Sequence, residues 1–380
     1  MIRVIYTQAA KFGGAGIGTI AYYFVHAIAQ AGYLQRAIVA YADSYDLPRR
    51  QIRTFPWMRL VARLARDNHP LRDTVFDWAA ARFIEPCDVF HGWSDQCLYS
   101  LRQAKKLGAL TFVERPNSHE RQAFRLIQEE YDRWGFKDRA AIRPLGLQRP
   151  LAEYAMADFV TVPSSFVYDS FLAEGFTADR LFLVPYGVDI DHFIPATKPP
   201  ASDHFVLLFV GQVSLRKGIP YLLKAWQQLN LPQAKLWLAG RVAPNAEAFV
   251  AGYAGDATIR FLGHVHDPRP LYQQASAFVL PSIEEGSALV TYEAMASALP
   301  LIYTHNTGAI ARDGIEGIQI PIRDVDALAA AIERLYWQPE LRWELGQNAR
   351  RRAKAYTWQK AGEKLLAAYH AALERRQSSG

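Results

Sequence analysis

Short apolar runs that alternate with helical patterns are the feature that most constrains this chain of 380 residues. The runs are continuously apolar rather than alternating, so they predict parallel β-strands buried on both faces by helices. Twelve such strands are better explained by two sheets than by one, which predicts an α/β chain with two Rossmann-like, doubly wound domains. The runs lie at 2–7, 37–42, 88–93, 109–114, 158–163 and 181–187, and at 205–211, 234–240, 258–264, 277–282, 299–304 and 317–322.

A change in composition marks the boundary between the two halves. Residues 194–203 are rich in Pro, Ala and polar side chains, which is typical of an interdomain linker. We therefore predict an N-terminal domain over 1–195 and a C-terminal domain over 204–356. After Pro339 the pattern is helical to the end, with an apolar face formed by Trp358, Leu365, Leu366 and Tyr369.

Composition restricts the compartment and the partners. The cysteines, Cys87 and Cys97, give neither a disulfide framework nor a metal-ligand spacing. No apolar run reaches transmembrane length, and the N-terminus lacks the apolar region of a usual signal peptide, so we expect a cytoplasmic protein. The net charge of +6 suits anionic substrates, an anionic membrane face or nucleic acid, and charge alone does not choose among them.

Two glutamates follow the run at 277–282. Glu285 lies on the loop that leaves this strand, and Glu293 lies in the helical pattern that follows. Eight helical residues span about 12 Å, close to the distance from the sugar to the ribose of a nucleotide sugar. The N–H groups of Gly286 and Ser287 lie between them, where a helix start favours an anion. Two solvated glutamates on a surface helix remain the alternative interpretation.

A glycine-rich turn follows the first strand and enters a helix at 11–24. Glycines permit close approach of a phosphate or a sugar, although tight packing between strand and helix would require them equally. Gly16, Gly18 and Ala21 have dinucleotide-binding spacing, and Asp43 follows the second strand where a ribose-binding acid would lie. An NAD(P)-dependent oxidoreductase is therefore a rival hypothesis.

Cationic and histidine side chains follow other strands. Arg216 and Lys217 precede a helix and could clamp a diphosphate, or form an exposed basic turn. His91 and His119 each belong to a segment at a strand end in the first half, and His119 has the polar neighbours Glu114, Arg115 and Ser118. Lone histidines are more often structural than functional, so both interpretations stay open for each.

An arginine-rich stretch covers residues 49–72. From Trp57 to Arg66 it predicts a basic amphipathic helix, which suits an anionic membrane surface. The alternative is an ordinary helix with its apolar side on the core.

Taken together, these motifs resemble the large retaining family 4 of glycosyltransferases, which have the two-domain GT-B fold. Residues 284–302 contain the family's Glu-x7-Glu element. The resemblance covers most of the chain and is carried by the glycine-rich loop and by 153–175, 184–193, 209–218, 261–265 and 284–302. It implies two domains that face a shared cleft and a terminal helix, about 357–380, that returns to the N-terminal domain.

The resemblance also implies roles for site residues. Glu285 would bind donor-sugar hydroxyls, Glu293 would bind the ribose, and His119 would contact the donor sugar near the reacting carbon. Further donor-binding groups are implied for Gly14, Gly16, Arg216, Lys217, Val265, Gly286, Ser287, Ala288 and Leu289. The segment 263–265 would present backbone groups to the base. Gln212 departs from the family pattern, which often has arginine there, and Arg216 is the side chain that could replace this charge.

The implied activity is retaining transfer of a sugar, of the hexosyltransferase type (EC 2.4), from a nucleotide-diphosphate donor. The acceptor would be a glycan, a lipid-linked molecule or a small molecule, as in polysaccharide biosynthesis. No metal, no organic cofactor and no nucleic-acid partner are expected, and the cytoplasmic protein could be peripheral on the inner membrane face. The alternatives left open are the NAD(P)-dependent oxidoreductase, a GT-B sugar-nucleotide epimerase and a non-catalytic binder.

Overall fold

The computed structural model describes residues 2–43, 45–65, 69–136, 147–196 and 205–378. Its strands are β1 (Val4–Phe12), β2 (Leu34–Ala42), β3 (Ile52–Thr54), β4 (Val89–Trp93), β5 (Leu110–Glu114), β6 (Phe159–Val162), β7 (Leu181–Leu183), β8 (Phe205–Val210), β9 (Ala234–Ala239), β10 (Ile259–Gly263), β11 (Ala277–Leu280), β12 (Leu301–Thr304) and β13 (Gly317–Ile320). Across these residues they form two sheets, in the orders β3-β2-β1-β4-β5-β6-β7 and β10-β9-β8-β11-β12-β13. All pairings between the strands are parallel.

The predicted α/β class with two parallel sheets is confirmed. Each of the twelve predicted runs contains or overlaps a strand, and the short edge strand β3 is an addition. We call the unit built on the first sheet the N-domain and the unit built on the second sheet the C-domain. The linker predicted at 194–203 lies outside the described residues from position 197 onward.

Helices connect the strands and cover both faces of each sheet. In the N-domain they are α1 (Ile17–Gln30), α2 (Met58–Leu64), α3 (His69–Ala80), α4 (Leu98–Lys106), α5 (Glu120–Arg133), α6 (Gln148–Met156) and α7 (Ser165–Ala173). The second half contains α8 (Ile219–Gln228), α9 (Glu247–Ala251), α10 (Arg269–Gln274), α11 (Leu289–Ala296), α12 (Val325–Trp337), α13 (Pro339–Ala353) and α14 (Trp358–Ser378).

Alternating side chains of β1 show why the strands are apolar throughout. Tyr6 packs into the core that contains Phe24 of α1 and Tyr369 of α14. Its neighbour Ile5 enters the core on the opposite face, with Phe76 of α3. Both faces of the strand are therefore buried, as the continuous apolar run predicts.

The terminal helix α14 lies on the N-domain although it follows the C-domain in sequence. Trp358 at its start stacks on Tyr23 of α1, with 4.5 Å between ring centroids. Further along, the hydroxyl of Tyr369 lies 2.8 Å from Nδ1 of His91 in β4. The predicted return of the terminal helix is confirmed.

The helix predicted from Trp57 to Arg66 is present as α2 over Met58–Leu64. The arginine-rich stretch also contains β3, while Arg66 lies outside the described residues. Met58 is fully buried, whereas the side chains of Leu60 and Leu64 are 60% and 78% exposed. Among the described helices, none has both the length and the apolar content needed to cross a bilayer.

Candidate functional site

Two loops meet at the topological switch point of the C-domain sheet. β8 and β11 are neighbours in the sheet, and the chain leaves them in opposite directions, towards β9 and β12. Ligands of open α/β sheets bind in the crevice at such a point, outside the carboxyl ends of the strands. The loop after β8 carries Arg216 and Lys217, and the loop after β11 carries Glu285.

Backbone contacts hold these two loops against each other. The N–H of Ile283 donates to the carbonyl of Arg216 at 2.9 Å. Gly218, which precedes α8, has a left-handed φ of 72°, and a Cβ there would lie 2.0 Å from the carbonyl oxygen of Pro281. Glycine is therefore required where the loops touch, and the two cations are fixed beside the glutamate loop.

The cations and Glu285 form one cluster. Lys217 Nζ contacts one carboxylate oxygen of Glu285, and Arg216 Nη1 lies 3.3 Å from the other. Lys217 is buried, and burial together with the adjacent Arg216 lowers its pKa well below the usual value. The structure therefore brings together three of the predicted donor-binding residues. The alternative of an exposed basic turn does not describe Lys217, which is 7% exposed.

Glu293 lies on α11, two turns along the chain from Glu285. Its carboxylate accepts a hydrogen bond from the hydroxyl of Tyr272 at 2.8 Å. Burial raises the pKa of Glu293 to about 7, and the Tyr272 hydrogen bond opposes this shift. Glu293 is half-buried and hydrogen-bonded rather than on an open surface, in contrast to the alternative of two surface glutamates.

The loop between the glutamates differs in detail from the prediction. α11 begins at Leu289, after Gly286 and Ser287, so these two residues belong to the preceding loop. The amide of Ala288, expected to donate to the diphosphate, donates instead to the carbonyl of Thr307 at 3.1 Å. Within the described chain, the amides of Gly286 and Ser287 have no acceptor, so both are available to an anion.

The other predicted donor contacts lie at strand ends. Val265 is partly buried on the loop after β10, beside the exposed Gly263. In the N-domain, Gly14 lies in the turn after β1 and Gly16 directly precedes α1. The hydroxyl of Thr19 donates to the carbonyl of Gly14 at 2.7 Å and braces this turn.

His119, expected to contact the donor sugar, lies at the start of α5. It caps α5, where its Nδ1 accepts from the N–H of Arg121 at 3.3 Å. Its ring is 1% exposed and packs among Tyr154, Phe171 and Phe176. This burial lowers the pKa of His119 to about 4. The imidazole is thus neutral at pH 7 and enclosed by aromatic side chains.

The remaining motifs have structural roles. His91 is fully buried and stacks between Tyr6 and Phe112, so it belongs to the core of the N-domain. Asp43, the expected ribose-binding acid of a dinucleotide site, forms ion pairs with Lys11 and Arg59. These pairs do not favour the NAD(P) hypothesis.

Contacts between the domains were not predicted from the sequence. Glu284 of the C-domain accepts a hydrogen bond from the hydroxyl of Ser118 at 2.8 Å, and the hydroxyl of Ser164 donates to the carbonyl of Gly286. A Cβ on Gly286 would lie only 1.6 Å from the carbonyl oxygen of Pro116. The loop that carries Glu285 therefore touches the N-domain directly.

A second interdomain contact lies at the far end of α5. Glu130 is 1% exposed, accepts from the hydroxyl of Tyr221 at 2.9 Å and pairs with Arg323. Trp134 packs edge-on against Phe249 of α9, with 4.8 Å between ring centroids. No local pattern in the sequence marks these contacts, and residues 137–146, which follow them, lie outside the described residues. Over the described residues, no cluster of three or more His, Cys, Asp or Glu side chains is placed to hold a metal ion.

Known proteins resemble both the sequence and the structure. Residues 204–338 match the sequence model of the family described as Glycosyl transferases group 1. A D-inositol 3-phosphate glycosyltransferase of Geodermatophilus obscurus is 33% identical over 229 residues, which cover 53% of this chain and 50% of that protein. The chain spans about half the length of the first curated relatives that it matches.

Solved structures match nearly the whole chain. Sucrose-phosphate synthase from Thermosynechococcus elongatus aligns with a TM-score of 0.72 and 21% identity, over 98% of this chain and 100% of that one. HepE from Anabaena, solved in complex with UDP-glucose, aligns with a TM-score of 0.68 and 15% identity over the same shares. These matches show the GT-B fold, and the family match over 204–338 confirms the predicted resemblance to glycosyltransferases.

Proposed function

We propose that this relative of the group 1 glycosyltransferases transfers a sugar from a nucleotide-diphosphate donor to a hydroxyl of an acceptor. The observation that carries the proposal is the cluster of Arg216, Lys217 and Glu285 at the C-domain switch point. Two cations at this edge of the sheet suit a diphosphate, and the adjacent carboxylate suits the hydroxyls of the adjoining sugar. The acceptor is a glycan, a lipid-linked molecule or a small molecule, and polysaccharide biosynthesis is the corresponding process.

Each part of the donor has a proposed partner. Glu293 accepts hydrogen bonds from the ribose hydroxyls, and the backbone of 263–265 contacts the base. Arg216 and Lys217 bind the diphosphate with the free amides of Gly286 and Ser287. Leu289 begins the helix that orients this loop, and Ala288 fixes the loop through Thr307.

Donor binding rearranges the ion pairs of the cluster. Without donor, Glu285 neutralises Lys217 and contacts Arg216. A diphosphate competes for both cations, so Glu285 is released to accept hydrogen bonds from sugar hydroxyls. The negative charge of the diphosphate also favours the ammonium form of Lys217, whose pKa is lowered by burial in the structure.

The transfer step exchanges one bond for another at the anomeric carbon. The bond between this carbon and the diphosphate oxygen breaks, and the electron pair leaves with the diphosphate. The acceptor oxygen bonds to the same carbon from the same face, and its proton passes to the departing phosphate. The configuration is therefore retained, as in family 4. Preorganised cations and amides stabilise the charge that develops on the leaving group, so the step needs no metal ion or organic cofactor.

The N-domain supplies the acceptor side of the site. The turn with Gly14 and Gly16 approaches the acceptor and the phosphate. His119 is the group proposed to contact the donor sugar near the reacting carbon, and it caps α5 directly after the loop 116–118 that contacts the C-domain.

We also propose that the protein works in the cytoplasm and lies peripherally on an anionic membrane face. Trp57, Leu60 and Leu64 have helical spacing, and their side chains are 46%, 60% and 78% exposed. Arg63 is exposed on the same helix. Exposed apolar side chains combined with arginines suit the interface of an anionic bilayer. Co-sedimentation with vesicles tests this, and equal pelleting with and without anionic lipid would contradict it.

The test of the proposed activity is a donor panel. UDP-, GDP- and ADP-sugars are supplied in turn, and release of the nucleoside diphosphate is measured with a mixture of acceptors. UDP-glucose is the first donor to test because HepE was solved with it. We expect one nucleotide class to be bound and turned over. Binding of NAD(H) without binding of any nucleotide sugar would contradict the proposal.

A further inference from the structure

We propose that Glu284 is a positioning residue that couples closure of the two domains to the arrangement of the diphosphate-binding cations. This inference rests on the proposed transfer reaction. Glu284 lies beside Glu285 in sequence, but its carboxylate has different partners and spans both domains.

The N-domain partners of Glu284 belong to the loop before α5. One carboxylate oxygen accepts from the N–H of Ser118 at 3.2 Å and from its hydroxyl at 2.8 Å. The other oxygen accepts from the side-chain amide of Asn117 at 3.4 Å. Arg115 braces the same loop, because its Nε donates to the carbonyl of Ser118 at 2.9 Å. Glu284 therefore contacts a loop whose shape is fixed independently.

The C-domain partner of Glu284 is Arg216. The guanidinium Nη1 lies 3.4 Å from the Glu284 carboxylate, 3.2 Å from the carbonyl oxygen of Glu284 and 3.3 Å from the carboxylate of Glu285. One guanidinium thus joins two neighbouring carboxylates. The direction in which Arg216 points is consequently tied to Glu284, and through Glu284 to the N-domain loop.

The burial of this charge argues for a specific role. Glu284 is 2% exposed and lies next to a second carboxylate, at a site proposed to bind an anion. A buried carboxylate is unfavourable unless its oxygens are paired and hydrogen-bonded. Its partners in the N-domain are present only when the domains are in contact, so closure is what completes its hydrogen bonding.

Neither Glu285 nor Glu130 can take this role. Glu285 pairs with Lys217 and Arg216, which both belong to the C-domain. Glu130 does bridge the domains, but its partners Tyr221 and Arg323 are not the cations proposed to bind the diphosphate. Glu284 alone among these three acids joins the domain contact to a cation of the proposed site.

The variant Glu284→Gln separates positioning from folding. The amide keeps an oxygen for the Ser118 donors, but its NH2 group then faces the donors Asn117 and Arg216. We expect kcat to fall about 10- to 100-fold, the effect of misplacing reacting groups by about 1 Å. The affinity for the nucleoside diphosphate of the preferred donor should stay equal or rise, since a negative charge beside the anion site is removed. A purely structural loss would lower both quantities.

The matched control is Glu316→Gln. Glu316 is a 1% exposed carboxylate that pairs with Arg312, and both residues belong to the C-domain. This control should keep wild-type kcat and affinity. A second variant, Ser118→Ala, removes the partner hydroxyl, and combining it with Glu284→Gln should lower kcat less than the product of the two separate effects. A wild-type kcat for Glu284→Gln, or full additivity with Ser118→Ala, would overturn the inference.

Small-angle X-ray scattering without ligand tests the domain contact independently of activity. A compact chain of 380 residues has a radius of gyration of about 21 Å. We expect Glu284→Ala to increase this radius relative to the wild type and to Glu316→Gln, and an unchanged radius would overturn the role in closure. If the wild type turned over no nucleotide sugar, the proposed function would fail, and the scattering comparison would still decide whether Glu284 holds the domains together.

Discussion

The substitution Gly286→Ala tests whether the two domains must touch at the glutamate loop for turnover. An ideal Cβ at this position would lie 1.6 Å from the carbonyl oxygen of Pro116 and 2.6 Å from Cα of Asn117. Ordinary van der Waals contact begins at 3.4 Å, so the backbones must separate by about 3.4 − 1.6 = 1.8 Å. The atoms in the way are backbone atoms of the opposite domain, which cannot move aside as a flexible side chain can.

The expected magnitude follows from this displacement. A misplacement of about 1 Å can lower turnover 100-fold, so we expect kcat to fall by at least about 100-fold, or about 2.7 kcal/mol. The free energy of unfolding should change little. Gly286 does not have a left-handed backbone conformation, and the clash is relieved when the domains separate, without unfolding of either one. Alanine also restricts the unfolded chain, which favours folding by about 0.4–1 kcal/mol.

The assay compares Gly286→Ala with the control Gly255→Ala. A Cβ on Gly255 would have nothing within 4 Å, so this control should keep wild-type turnover and stability. Steady-state release of the nucleoside diphosphate gives kcat, and thermal unfolding gives stability. Wild-type kcat for Gly286→Ala would refute the reasoning, as would a large fall in its unfolding temperature.

Further predictions concern single groups of the proposed site and surface. Glu285→Gln should bind the free nucleoside diphosphate more tightly, because Lys217 loses its internal partner, yet transfer more slowly; weaker binding in calorimetry would contradict this. The pKa of Glu293 is raised from about 4.5 to about 7, so the wild type loses stability as pH rises through this window. In pH-dependent unfolding, Glu293→Gln should not lose stability as pH rises through this window, and it should bind nucleotide more weakly. A Glu293→Gln variant that is less stable than the wild type at pH 8 would refute this. Leu64→Asp should reduce pelleting with anionic vesicles, whereas Leu172→Asp, at another exposed helical leucine, should not; equal effects would argue against the α2 surface.

The fold was predictable because its signals are local. Each buried parallel strand must be apolar on both faces, so the runs at 205–211 and 277–282 stand out without any knowledge of their partners. β3 was missed because it has three residues, one of them Arg53, inside an arginine-rich stretch. The ends of helices were less predictable, as α11 begins at Leu289 although Gly286 and Ser287 carry the anion-binding pattern.

The site was predictable only in part, because pairing across the domains has no local signal. Arg216, Lys217 and Glu285 follow strands that are neighbours at the switch point, and the structure brings them together. The local sequence does not distinguish Glu284 from other polar loop residues, because its partner Ser118 lies 166 positions away. The burial of the His119 ring likewise depends on aromatic side chains from α6 and α7, distant in sequence.

Calorimetric titration of the wild type with UDP-, GDP- and ADP-sugars, followed by assay of the released nucleoside diphosphate, tests the central claim most directly. The account predicts that one nucleotide class binds and is turned over, and that Lys217→Met abolishes this binding. Binding of NAD(H) with no response to any nucleotide sugar would contradict it.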